Sequence, residues 1–451
     1  MTKKREAVFI KGPIAQTLLK ATFPMMLGLF GMFAFNLVDT FFVSKLGVKE
    51  LAALTFTFPV IMVIASLALG MGVGASALIS KALGEGDHYK VERVATDGLL
   101  LAVVMVAVLA GVGLATIKPV FSALGATPEI IVLIEQYMKI WYMGVVFVVV
   151  PMFGNNAIRA LGDIVTPSVI MLIAVFVNVI IDPLLIFGIG PFPKMGLAGA
   201  AIATILARAV TFVVSFYILY KREKIITFKL PRAEELIRSW KQVIYLGLPT
   251  AGTRMIMPLA LAVVTRMIAS FGAASVAAFG VATRIEMFAM TLIFSLAVVL
   301  GPFIGQNWGA GLIDRVRGGI KFSKRVCLIW GAIVFVFFAV FARPIASVFN
   351  GDPEVVDKVV FFLRTVPLGY GALGVLIISA SSLIVLHKPF HSAALMLIQM
   401  FVFYVPLAFL GGRFWGVPGI FASFAVSYLA SGVIANYVLN KDERAAEIRY
   451  N

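Results

Sequence analysis

One cysteine, Cys327, stands in a chain of 451 residues, which excludes an intramolecular disulfide and any cysteine-built metal site. The three histidines, His88, His387 and His391, fall in or beside expected loops and form no ligand cluster. Charge is scarce as well. Only 13% of residues are Asp, Glu, Lys or Arg, against about a quarter in a soluble protein. Acids are the rarer sign, 22 against 38 basic residues, for a formal net charge of +16. No H-E-x-x-H, Ser–His pair or paired catalytic aspartates mark an enzyme. The opening MTKKRE, followed by FIKGPIAQTLLK, has no small-residue cleavage site after its first apolar run. It reads as a cytoplasmic tail leading into a retained helix.

What the chain does have is apolar surface: 61% of residues are hydrophobic and the mean hydropathy is +1.02. Surface of that kind needs lipid as its solvent. A bilayer core takes about 20 apolar residues of helix. The runs predict twelve spans, near 14–43, 52–80, 95–117, 134–158, 165–188, 197–220, 240–270, 276–304, 322–343, 357–386, 390–411 and 416–439. Barrel strands would alternate over about ten residues, and these runs do not. Some spans exceed the bilayer thickness, so tilt or protrusion is expected. The predicted class is an all-α integral membrane protein.

The basic residues explain themselves by topology rather than by nucleic-acid binding. With the N-terminus in the cytoplasm, inside loops hold about 25 of them and outside loops about seven. Both termini then lie inside, in a multi-pass protein of the plasma (inner) membrane. The 232–245 stretch reads either as an interfacial amphipathic helix or as a solvated linker.

The chain also repeats. Sliding it by 225 positions aligns Pro24 with Pro249, Gly47 with Gly272, Gly84 with Gly309 and Gly86 with Gly311. Two pseudo-symmetric six-helix lobes follow, 1–220 and 242–451, joined by a cytoplasmic linker at 221–241. Repeated halves around a central site are a transporter design.

Charges inside spans are costly, so each needs a partner or a task. Asp39 lies in the first span, Asp182 in the fifth and Glu286 in the eighth. Asn178 and Asp182 are spaced i, i+4 and share a face. Pro183 removes the helical donor of the Val179 carbonyl. With Asp39 and a hydroxyl such as Thr204, these oxygens would cage a small hard cation. Two carboxylates held together out of bulk water would equally suit a proton. The bland alternative is that Asp182 only caps a helix end. Pro24 should kink the first helix and give it two shapes. Arg284 and Glu286 do not face each other, and Arg254, Arg266 or Arg364 are candidate partners for Glu286. That network reads as structural or gating. The stretch 70–87 (GMGVGASALISKALGEGD) lacks the G-K-[ST] ending of a nucleotide loop, so its small residues read as a close-packing face.

In order and spacing, Pro24, VDTFFVSKLG (38–47), GVGASALISKALGEGD (72–87), NNAIRALGD (155–163), NVIIDPLLIFG (178–188), GLAGAAIAT (196–204), VAAFGVATRIE (276–286) and GPFIGQNWGAG (301–311) resemble the multidrug and toxic compound extrusion (MATE) family, in its DinF-like branch. The resemblance implies two lobes opening alternately to the two sides. It implies efflux of cationic or amphiphilic drugs in exchange for inward H⁺ or Na⁺, with no cofactor. It also implies a coupling site at Asp39, Asn178, Asp182 and Thr204, where a Na⁺ would sit, with Asn155 or Asn156 from the fourth span. Pro24 becomes the helix-1 hinge, and Glu286 a polar residue of the second lobe, beside Arg284. A monomer among membrane lipids is expected, with no nucleic acid. The spans near 240–270 and 357–386 hold no midspan acid, unlike the NorM-like branch. The rival is a lipid or lipid-linked saccharide flippase of the wider superfamily. Its members usually carry more helices and a cationic cavity.

Overall fold

The computed structural model describes residues 6–229, 232–349 and 351–447. The start of the expected tail and two residues of the expected linker, 230 and 231, lie outside them. Fifteen α-helices follow the apolar runs: α1 Ile14–Ser44, α2 Val48–Glu85, α3 His88–Ala123, α4 Pro128–Gly144, α5 Val146–Ala160, α6 Val165–Phe187, α7 Gly196–Tyr217, α8 Ala233–Ala269, α9 Ala273–Ala289, α10 Thr291–Gly309, α11 Ile313–Phe349, α12 Pro353–Thr365, α13 Tyr370–Val385, α14 Pro389–Leu397 and α15 Val405–Glu447.

Among the described residues these fifteen helices make twelve crossings, because several spans are interrupted. α4 and α5 form one span bent by 46° at Val145. α9 and α10 break at Met290, and α12 and α13 are joined by a 3₁₀ turn, Val366–Gly369. A π-helical segment, Ile398–Tyr404, joins α14 to α15. Inside α15 the chain turns back at Gly416, whose φ of 64° and ψ of −145° only glycine adopts readily, so α15 ends one crossing and makes the next. The protein is an all-α integral membrane protein. The 232–245 stretch is not a separate interfacial helix; α8 runs unbroken from Ala233 into the span. Pro24 likewise sits inside an unbroken α1.

The chain forms two compact units, Met1–Val8 with Phe23–Ala251, and Phe9–Thr22 with Gly252–Asn451. Their borders cut α1 one residue before Pro24 and α8 two residues after Pro249, beside the paired prolines of the repeat. The segment 221–241 belongs to the first unit by compactness. It packs on the start of α3, where Thr227 N–H donates to Thr96 Oγ1 at 3.0 Å, Arg93 to the Lys229 carbonyl at 3.0 Å and Trp240 Nε1 to the Asp97 carbonyl at 2.8 Å.

Within a bilayer the hydrophobic effect does not press helices together, so close approach and hydrogen bonds must. The first unit uses its small residues for this. A Cβ on Gly70 would stand 2.6 Å from the Gly247 carbonyl oxygen, and one on Gly74 would stand 2.7 Å from that of Val243. The glycine-rich stretch is therefore the backbone-to-backbone crossing of α2 and α8.

The second unit has such approaches too, a Cβ on Gly331 meeting the Gly371 nitrogen, and adds a cluster of aromatic rings. Phe279 and Phe362 contact each other and both Phe421 and Phe424, the closest of these pairs being Phe362 and Phe421 at 5.1 Å between centroids. Trp330 Nε1 donates to the Ala289 carbonyl at 2.8 Å, at the break between α9 and α10.

Residues 9–12 are strapped to this unit. Phe9 N–H donates to Gln306 Oε1 at 2.9 Å, and Arg315 donates to the carbonyls of Phe9, Lys11 and Gly12. Arg315→Ala should speed hydrogen exchange at the Phe9 amide by about tenfold or more, since bonds from a charged donor contribute about 1.5–3 kcal/mol. Unchanged exchange at Phe9 would show that the strap holds without Arg315.

Candidate functional site

The first unit's polar residues are placed by helix register. A Cβ on Gly28 would stand 3.0 Å from Ser168 Oγ, and one on Gly31 would stand 2.9 Å from the Leu172 side chain, so α1 and α6 run parallel. Continued along both helices at one rise per residue, this sets Asp39 level with the turn from Asn178 to Asp182. α6 and α7 are antiparallel. A Cβ on Gly199 would stand 2.5 Å from the Leu185 carbonyl oxygen, and Met195 N–H donates to that oxygen at 3.0 Å. That register brings Thr204 to the same level and Arg208 one turn further from the Gly196 end. Three helices thus deliver Asp39, Asn178, Asp182 and Thr204 to one depth.

Asn178 and Asp182 are fully buried, and Thr204 is 8% exposed. Asp39 is partly buried, with its Oδ1 enclosed. What distinguishes the cluster is how little of it is satisfied. Both carboxylate oxygens of Asp182, both amide atoms of Asn178, Thr204 Oγ1 and Asp39 Oδ1 are buried with no hydrogen-bond partner. Asn178 lies beside Asp182 closely enough to interact, yet outside hydrogen-bond geometry. Such groups each cost free energy unless something joins them. An oxygen set of two carboxylates, an amide and a hydroxyl suits a small hard cation. No group of three or more His, Cys, Asp or Glu able to hold a metal ion occurs among the described residues, so a cation held here would need amide and hydroxyl oxygens beside the two carboxylates.

Two neighbours escaped the sequence reading, which looked for acids. Arg208 lies within electrostatic reach of Asp39. Its guanidinium stacks on the Phe35 ring at 4.4 Å, one helical turn from Asp39, and its Nε has no partner. The buried Tyr137 of α4 lies within reach of both carboxylates. A lone arginine in the sixth span was the available signal for the first.

Asn155 and Asn156 are not in the cluster. Gly154 faces Ser215, about 16 Å along α7 from Thr204. There Asn156 donates to the Met152 carbonyl at 2.8 Å and accepts from Arg159 at 3.4 Å. α5 is carried on past the bend at Val145 toward the other end of the bundle, which removes both asparagines from the carboxylates.

In the second unit Glu286 accepts a hydrogen bond from Tyr428 at 3.1 Å. Tyr370 and Tyr404 lie within its electrostatic reach, with buried hydroxyls that have no partner. None of the expected arginines pairs with it among the described residues: Arg254, Arg266 and Arg364 are exposed, as is Arg284. Glu286 is thus held by tyrosine rather than by an ion pair.

The profile of the MatE family matches residues 24–184 and again 249–410, the two halves of the repeat. The chain is 36% identical to a protein of Shewanella oneidensis described as an FAD transporter, over 96% of each chain. It is 23% identical to the multidrug export protein MepA of Staphylococcus aureus, over 93% of this chain and 92% of that one. The Vibrio cholerae MATE transporter VcmN, in a crystal structure of its bent form, superposes with a TM-score of 0.91 at 28% identity, covering 96% of this chain and 98% of that one. With both halves matched and a relative this similar along nearly its whole length, the chain belongs to the MatE family and is a MATE transporter, not an enzyme.

Proposed function

We propose that this protein is a secondary antiporter that exports small organic molecules from the cytoplasm in exchange for inward H⁺ or Na⁺. The supporting observation is the gathering of unsatisfied buried oxygens at Asp39, Asn178, Asp182 and Thr204, three helices converging on one depth. A cation entering from outside takes those oxygens as ligands and neutralises the carboxylates. It drives the cycle only by binding the two shapes of the transporter unequally. The membrane potential adds about 2.3 kcal/mol per charge per 100 mV if a full charge crosses. Pro24, one residue past the border between the compact units in α1, is the hinge of this reading. Both termini face the cytoplasm, and the two lobes, 1–220 and 242–451, alternate access across the inner membrane.

Cationic drugs are the first substrate reading, on the pattern of the multidrug relatives. A second is a flavin dinucleotide, favoured by the 36% identical relative and by Arg254 and Arg284, exposed cations within spans that would meet a phosphate. The test is efflux from reconstituted vesicles, with ethidium and FAD as separate cargoes, under a Na⁺ gradient alone and then a pH gradient alone. One ion gradient should drive at least one cargo out. Efflux of both at the rate of protein-free vesicles under either gradient would end the proposal.

A further inference from the structure

The helices around the coupling cluster carry few charged residues. α6 carries one, Asp182, and α7 carries one, Arg208. α1 carries Asp39 and, far toward its other end, Lys20. On α4, Glu129 is closed by Lys49, and Glu135 by Lys118 and Lys139; Tyr137 is neutral. Arg159 of α5 is engaged with Asn156 at the opposite end. With both carboxylates ionised, the site holds two negative charges and one guanidinium, a net charge of one negative. No ion pair joins Arg208 to Asp39 among the described residues, and the stack on Phe35 holds the guanidinium alongside. An uncompensated charge in a membrane interior is costly, so occupancy that neutralises the site is strongly preferred.

Resting on the coupling-site reading above, we infer that Arg208 is a built-in counter-cation that sets the coupling at one monovalent cation per transport cycle. Without it, two carboxylates would call for two. With Asp39 replaced by Asn, Asp182 and Arg208 would cancel and no cation would be required.

The test is static head in vesicles carrying the full chain, with the membrane potential clamped at zero, a tenfold gradient of whichever ion drives transport, and ethidium or FAD as cargo. At one cation per cycle the wild type holds a cargo gradient of about tenfold. Arg208→Met holds about a hundredfold, the square, and Arg208→Lys returns to about tenfold. Asp39→Asn holds none. Adding Arg208→Met to Asp39→Asn restores a single negative charge at Asp182 and a gradient of about tenfold, which a merely structural role for Arg208 would not give. A hundredfold gradient in the wild type overturns the inference. So does Arg208→Met at tenfold, or a double variant as inactive as Asp39→Asn. A wild type that holds no gradient with either ion overturns the coupling reading and this inference with it.

Discussion

Asp39→Asn is expected to bring ion-driven export down to the level of protein-free vesicles while the protein still inserts and purifies as a single species. The size of the effect follows from what the side chain faces. Asp39 presents a buried oxygen with no protein partner, level with Asn178 and Asp182. Removing one partner of a buried charge interaction costs about 3–5 kcal/mol, which is a loss of a hundredfold or more in cation affinity. Folding is spared for the same reason. The carboxylate makes no hydrogen bond that the fold depends on, and an amide of the same shape is cheaper to bury. Export from vesicles and the elution profile in detergent check the two halves of this expectation. Full coupled export in the variant would remove Asp39 from the site.

Gly74→Leu is expected to have the opposite signature, losing the protein and not only its activity. The position is a helix crossing in which the next backbone is already in contact. A Cβ there would stand 2.7 Å from the Val243 oxygen and 2.9 Å from the Gly247 nitrogen. Neither atom can turn aside as the tip of a side chain would. Overpacking costs about 1–3 kcal/mol where side chains can yield, and more where backbones must part. Total stabilities are only about 5–15 kcal/mol, so forcing α2 and α8 apart should leave little folded protein. The comparison is with Gly111→Leu, where a Cβ meets nothing within 4 Å. That control should express like the wild type. Equal yields of both variants would show that the crossing is not where the first unit is held together.

Most of the fold was legible because lipid enforces it. An unpaired backbone group has no water to turn to inside a bilayer, so apolar runs of sufficient length become helices almost regardless of neighbours. The repeat was legible because Pro24 and Pro249, and Gly47 and Gly272, keep one spacing, and the family profile begins at the same two prolines. Interruptions were less visible. The bend at Val145 follows Gly144, one glycine among many in such a chain, and the break at Met290 carries no proline or glycine at the joint; the Ala289 carbonyl beside it is met by Trp330 from a helix about forty residues away.

The site divides the same way. Asp39, Asn178, Asp182 and Thr204 could be picked out because charge and amide stand out against an apolar background, and i, i+4 spacing fixed the face of one pair. Asn155 and Asn156 stood out equally, yet depth along a bent span is not written in residue type. Arg208 was passed over because a basic residue in an otherwise acidic pocket has meaning only once its neighbours are known. The tyrosines around Glu286 come from three further stretches of chain, near 370, 404 and 428, so no local pattern announces them.

The claim on which all of this turns is that cargo leaving and cation entering are one event at the Asp39 and Asp182 carboxylates. It is tested most directly by running the exchange backwards. Vesicles are given an outward gradient of cargo and no ion gradient, the potential is held at zero, and the movement of Na⁺ and of H⁺ is followed. Cargo efflux should pull one of these ions in through the wild type, and neither through Asp182→Asn. Cation entry that persists undiminished in Asp182→Asn, or cargo efflux through the wild type with no ion moving, would contradict the account.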